Sequence, residues 1–211
     1  MFLGHHAVAF AAKPLAPRVS LGTLIAAALL VDLLWPILLI LGLEHVRIAP
    51  GITAVTPLDF YHYPITHSLL AVLGWSVAMA LLVRKHPIVV GATVLSHWVL
   101  DFITHRPDLP LWPGGGPKVG LGLWNSVAGT VIVEVAMFVA ALFFYLRATR
   151  ARGRVGSIAL WSLVVFVSII YVANFFSPPP PNVESIGWLG LAQWLFVPWG
   201  YWIDRHREAA G

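Results

Sequence analysis

The sequence predicts an all-α protein, a polytopic membrane helix bundle of about six transmembrane helices plus a short N-terminal half-helix. Three observations carry this expectation. Of the 211 residues, 59% are hydrophobic and only 10% charged, where soluble domains carry roughly 25% charged residues. The mean hydropathy is +0.83. Apolar stretches of about 20 residues, the length that crosses a hydrocarbon layer roughly 30 Å thick, recur along the chain.

The N-terminal "MFLGHHAVAFAAK" is too short to cross, since residues 2–12 make about 16 Å of helix. It lacks the basic start and cleavage site of a signal peptide, and is apolar apart from His5 and His6. Run backwards from Lys13, a helix brings His5 about 12 Å into the membrane. A buried half-helix with His5 directed inward is expected, the alternative being a helix lying flat on the surface. Spans follow at residues 20–43, 65–83, 87–104, 125–146, 158–176 and 186–203, the last interrupted by Gly187, Gly190, Pro198 and Gly200. "WPGGGPKVGLG" (112–122) and "SPPPPNVES" (177–185) read as loops. Short connections favour one helical domain over residues 1–211, and no internal repeat is visible.

Charge orients the bundle. With the N-terminus in the cytoplasm, ten of the 13 Lys and Arg fall inside: Lys13, Arg18, Arg84, Lys85, Arg147, Arg150, Arg152, Arg154, Arg205 and Arg207. Arg47, Arg106 and Lys118 fall outside. That bias places both termini in the cytoplasm of a bacterial inner membrane. "RATRARGR" (147–154) is read as a loop obeying the charge rule, with no nucleic acid expected. The absence of cysteine excludes disulfides and thiolate metal sites.

The informative stretch is "SHWVLDFITHRPD" (96–108). His97, Asp101 and His105 recur every four residues, so a helix aligns them in one stripe. Counted from Pro87, His97 lies about 15 Å and Asp101 about 21 Å into the bilayer, where an ionised side chain costs at least about 2.5 kcal/mol. A polar seam between helices is one reading of the row. The rest of the chain favours another. Asp32 in "ALLVDLLWP" and Glu134 in "TVIVEVAMF" come to the same depth, and "LDFYHYPITHSLL" (58–70) brings His62 and His67 to the outer ends of neighbouring spans. Imidazole and carboxylate are what Zn²⁺ takes when thiolates are absent, and Mn²⁺ or Fe²⁺ accept the same set. One divalent ion would let these groups share a site of low dielectric. His45, His86 and His206 fall in loops or at span ends and are left out.

"HYPITHSLL", "SHWVLDFITHRPD" and "VDLLWP" together resemble the inner-membrane metal-dependent hydrolases of the LexA-binding inner-membrane-associated type. The order of ligands is similar to that of the zinc-dependent phospholipase C and P1 nuclease group. The resemblance covers roughly residues 1–125. It implies Asp32, His67, His97 and Asp101 around one metal, with Asp101 as a bridge, His105 serving a neighbouring metal, and His5 or His6 as an N-terminal ligand. The soluble group's further His-x3-Glu is absent here; Asn125 and Glu134 are the nearest substitutes. The activity so implied is metal-dependent hydrolysis, with a lipid or lipid-linked substrate, such as a phosphodiester, met on the outer side among membrane lipids. Glu134 or Asp59 would accept the proton of the attacking water. Arg106, Lys118 and the glycines at 114–116 would steady an anionic head group. Two rival readings remain, a small metal or proton transporter and a scaffold with a structural metal.

Overall fold

The computed structural model describes residues 1–210. Helix α1 (Leu3–Leu15) is buried on almost every face, from Leu3 to Lys13. α2 (Leu21–Ala28) begins at Ser20, whose hydroxyl accepts the Gly22 N–H, an N-cap that supplies one of the unmet bonds of a helix start. α3 (Leu30–Ile40) continues after a 56° bend at Leu29. Strands β1 (His45–Ile48) and β2 (Leu58–His62) form an antiparallel hairpin, with Arg47 opposite Asp59 and His45 opposite His62.

A four-residue turn, α4 (Pro64–His67), precedes α5 (Leu69–Val83). Ser68 is extended between them, and its hydroxyl accepts from Ala71 N–H while donating to the Pro64 carbonyl. α6 (Pro87–Thr104) starts on a proline, which has no N–H to leave unpaired. β3 (Leu109–Pro110) and β4 (Lys118–Val119) pair across the glycine loop. α7 (Val127–Ala148), capped by Ser126, is followed by β5 (Thr149–Ala151), α8 (Arg154–Asn174), α9 (Val183–Leu191), α10 (Phe196–Arg205) and β6 (Arg207–Ala209).

The chain is mostly helical, as expected, with six strands of two to five residues among the described residues. The number of spans differs from the expected six. Among the described residues three helices are long and apolar enough to cross a membrane, namely α6, α7 and α8; the bent pair α2–α3 makes four if taken as one span. The six expected stretches shared an apolar composition, but composition does not reveal breaks. The stretch at 65–83 is cut at Ser68, leaving 15 residues in α5, about 22 Å of helix. The stretch at 186–203 is divided into α9, a 3₁₀ turn (Ala192–Leu195) and α10.

α1 is enclosed by α2, α6 and α7. Around it lies the larger apolar core, with Phe10, Leu24, Ile25, Val94, Phe138 and Leu163. α2 and α10 meet at Gly22 and Gly200, where a Cβ on Gly200 would stand 2.7 Å from the Gly22 Cα. Membrane helices use such small residues to bring backbones together. A smaller core of Trp35, Leu39, Val46, Tyr63, Leu109 and Ile186 sits beneath the β1–β2 hairpin. The outward faces carry Leu81, Leu82, Ile132, Val139, Ile158 and Ile169 exposed, an apolar surface suited to lipid.

One end of the bundle gathers basic groups. Lys13 pairs with Asp204 at 2.8 Å, Arg207 donates to Thr149, and β5 pairs with β6, with Arg150 and Arg152 both on Glu208. The loops at 147–154 and 205–210 and the start of the chain's first connection therefore share one end.

Candidate metal centre

The centre is built outward from α6. His97 and Asp101 stand one turn apart on its inward face, with 1% and 2% of their surface exposed. His97 Nδ1 lies 2.8 Å from the Ala28 carbonyl at the α2–α3 break. A carbonyl only accepts, so this bond puts a proton on Nδ1, and in the neutral imidazole the lone pair is then on Nε2. Nε2 is buried and has no hydrogen-bond partner among the described residues.

The bend also turns Asp32, in the first turn of α3, toward the same point. Its Oδ2 lies 3.6 Å from His97 Nε2 and its Oδ1 3.5 Å from His67 Nε2. Asp101 Oδ2 is 3.2 Å from His97 Nε2 and 3.8 Å from His67 Nε2. Three of these four separations are too long for good hydrogen bonds. They match another geometry: ligands held at about 2.0–2.1 Å by a tetrahedral ion stand roughly 3.3–3.4 Å apart. Asp32, His67 and His97 each offer one atom within 4.8 Å of the others, and so do His5, His97 and Asp101. An orphaned, buried imidazole nitrogen facing two carboxylates fits a divalent cation.

Asp101 has a second face. Its Oδ1 accepts from the Met1 amine at 2.7 Å and lies 3.1 Å from His5 Nε2 and 4.0 Å from His105 Nε2. The rings of His5 and His97 are stacked. His5 gets there because α1 enters the bundle from the basic end and stops at the centre. A helix start inside a membrane needs acceptors for its free N–H groups, and Glu134 on α7 supplies them: its Oε2 accepts from Phe2 and Gly4 N–H at 2.9 and 3.2 Å. His6 points away, bonded to the Phe2 carbonyl and edge-on to Phe196.

The remaining predicted residues lie further out. His105 falls just past the end of α6, in extended backbone. It leaves the stripe, and its Nδ1 meets Asp108 at 2.9 Å while Nε2 faces Asp101. Tyr63 donates to Asp108 at 3.1 Å, and burial, then the Asp108 carboxylate, hold its hydroxyl well above the usual phenol range. Asp59, expected as a proton acceptor, is engaged by the guanidinium groups of Arg47 and Arg106. Glu134, expected in the same role, accepts the first N–H groups of α1. His62 lies on strand β2, exposed on the hairpin and stacked on His45 at 5.5 Å. Arg106 also pairs with Asp108, and Lys118 donates to the Tyr61 carbonyl.

Three groups were missed from sequence. Glu44 is fully buried and accepts from Ile65 N–H, Thr66 N–H and the Thr66 hydroxyl. Asp108 orients His105, and the Ala28 carbonyl orients His97. Glu44 left one signal, as the only acid between Asp32 and Asp59.

The model of the YdjM inner membrane protein family matches residues 1–177. The chain belongs to the YdjM inner membrane protein family. The matched region contains every residue of the centre and ends just after α8. It agrees with the apolar helices in making this a membrane protein. Comparison with curated proteins and with solved structures found no match.

Proposed function

We propose that this YdjM-family protein is a membrane-embedded, metal-dependent hydrolase acting on a lipid or lipid-linked phosphodiester. The observation that carries the reading is the triad Asp32, His67 and His97, whose ligand atoms all lie within 4.8 Å of one another, flanked by Asp101 at 3.2 Å from His97 Nε2. His67, His97 and Asp101 are almost wholly buried, but the Asp32 side chain is 27% exposed. Three protein ligands leave a tetrahedral ion one position for water, as catalytic sites do, whereas structural sites are closed. Zn²⁺ suits this donor set best, with Mn²⁺ or Fe²⁺ as alternatives.

A divalent cation there lowers the pKa of a bound water towards about 7 and polarises a phosphoryl or carbonyl oxygen. The protein's own part is to hold two Nε2 lone pairs and two carboxylates in place, with Asp101 facing a second group of donors through Oδ1. His105, its Nδ1 backed by Asp108 and its Nε2 4.0 Å from Asp101 Oδ1, is placed to take a proton. We take the end opposite the basic loops as extracytoplasmic by the positive-inside rule, and the partly exposed Asp32 side chain as the side from which substrate approaches the centre.

Burial of three of the four residues favours one second reading, a structural metal in a non-catalytic protein. A transport pathway is disfavoured by packing. Between the centre and the basic end stand Ala7, Phe10, Phe138, Tyr145, Leu160 and Leu163, all in or against the apolar core, where a pathway needs polar groups. The test is metal analysis of protein purified in detergent, then hydrolysis of a phospholipid panel with and without chelator. Bound metal with chelator-sensitive hydrolysis supports the hydrolase; bound metal with none across the panel supports the structural reading.

A further inference from the structure

We infer that Glu44 is a positioning residue that fixes the tautomer of His67 through the Thr66 hydroxyl, so that His67 presents a bare Nε2 to the centre. The inference rests on the metal-centre reading above. Glu44 lies at the end of the first apolar stretch, beyond α3, and is 0% exposed. Its Oε1 accepts from Ile65 N–H at 2.7 Å and Thr66 N–H at 2.9 Å. Its Oε2 lies 2.6 Å from Thr66 Oγ1. That oxygen in turn lies 2.7 Å from His67 Nδ1.

The protons follow from what each group can do. An ionised carboxylate only accepts, so the Thr66 hydroxyl donates to Glu44. A hydroxyl has one proton. Having given it to Glu44, Thr66 Oγ1 must accept from His67, which places the imidazole proton on Nδ1. Nε2 is then a lone pair, and it is the nitrogen that faces Asp32 Oδ1 and Asp101 Oδ2. A histidine that binds metal through one nitrogen is commonly held by a hydrogen bond at the other, and loss of that partner typically costs 10–100-fold in affinity. His97 meets the same requirement through the Ala28 carbonyl. The two histidines are thus prepared by different means, one by a backbone group and one by a buried charge relayed through a hydroxyl.

A capping role alone predicts something different. Glu44→Gln preserves the cap, because the amide oxygen still accepts from Ile65 and Thr66 N–H; the flipped amide would set its NH₂ against two donors. The Gln NH₂ then faces Thr66 and donates to it. The Thr66 proton swings to His67 Nδ1, and the proton on His67 moves to Nε2. The experiment has two arms on full-length protein in detergent. In the first, ¹⁵N-histidine NMR on metal-free protein reads the His67 tautomer: Nδ1–H in the wild type and Thr66→Ser, Nε2–H in Glu44→Gln. In the second, Zn²⁺ titration reads affinity: Glu44→Gln and Thr66→Val bind about 10–100-fold more weakly, and Thr66→Ser binds as wild type.

An unchanged tautomer in Glu44→Gln, with wild-type affinity in both weakened variants, overturns the inference. His67→Ala separates the two ideas. If it loses Zn²⁺ while Glu44→Gln and Thr66→Val do not, the centre stands and the positioning role falls. If His67→Ala binds Zn²⁺ as wild type, the centre is misassigned, and the metal-free NMR arm still decides the tautomer. Should Glu44→Gln not fold, Thr66→Val leaves all bonds from Glu44 to the backbone in place and carries the test.

Discussion

The imidazole rings of His5 and His97 lie face to face, 3.6 Å between centroids and 4° between planes. One comes from the half-helix that enters from the basic end, the other from the middle of α6. His5 touches Asp101 through Oδ1, whereas His97 meets it through Oδ2. His5→Ala is therefore expected to weaken Zn²⁺ binding about 10–100-fold, as loss of a supporting partner does, without abolishing it. His6→Ala should leave affinity unchanged. Competition titration against a chromophoric chelator measures both.

His97 is the side chain common to the two triads, and Asp101 lies against both, with Oδ2 toward His97 and His67 and Oδ1 toward the Met1 amine and His5. Asp101→Asn keeps its size but removes its charge, and is expected to abolish Zn²⁺ binding. The wild type should gain about 2.7 kcal/mol of stability at Zn²⁺ 100-fold above Kd, seen as a raised Tm, and Asp101→Asn should gain none. His62→Ala and His86→Ala should respond to Zn²⁺ as the wild type does. A metal-dependent Tm in Asp101→Asn would place the ion elsewhere.

Glu134 holds the start of α1. Removing its carboxylate leaves the Phe2 and Gly4 N–H groups buried without a partner, at about 1–3 kcal/mol. Glu134→Ala should speed hydrogen exchange along α1 and weaken metal binding through His5. Glu134→Gln keeps an acceptor oxygen and should be milder in both. Were Glu134 a proton acceptor instead, Glu134→Gln would stop hydrolysis while leaving exchange in α1 untouched.

These expectations show which parts of the centre could be read from sequence. His97 and Asp101 could, because helical spacing alone puts them on one face. His105 leaves the helix, since α6 ends at Thr104, yet its Nε2 still lies 4.0 Å from Asp101, at the rim of the centre. The strand that carries His62 was not legible, because the β1–β2 pairing joins separate segments of the chain, residues 45–48 and 58–62. Span counting departed from the structure where apolar composition continues through a break, as at Ser68. Glu44 showed only as a lone acid, because its role depends on α4 folding back over the end of α3, a tertiary contact.

At the basic end, Arg150 and Arg152 both donate to Glu208, and these hydrogen bonds hold the Glu208 carboxyl below its ordinary value of 4.5. A carboxylate depressed in the folded state contributes stability above its unfolded pKa and loses it as pH falls through the folded one. The β5–β6 pairing should thus be intact at neutral pH and loosen progressively below about pH 4.5. Glu208→Gln should remove that pH dependence. Amide exchange at residues 149–151 and 207–209 reports it directly, and because Glu208 is exposed the effect should shrink in high salt.

The direction from which substrate arrives depends on which way the bundle sits, and the chain is suited to the measurement because it contains no cysteine. Leu121 and Arg154 are both exposed and bracket α7, with 22 residues of helix between the two loops. That is about 33 Å, one full crossing. Arg154 belongs to the end where Lys13, Arg207 and Arg150 gather; Leu121 belongs to the end with Asp59, Arg106 and Asp108. In intact cells a membrane-impermeant maleimide should label Leu121→Cys and leave Arg154→Cys unlabelled until the membrane is opened. The reverse pattern would put the Asp32 corner of the centre in reach of cytoplasmic substrates. Labelling of both positions in intact cells would mean that α7 does not cross at all.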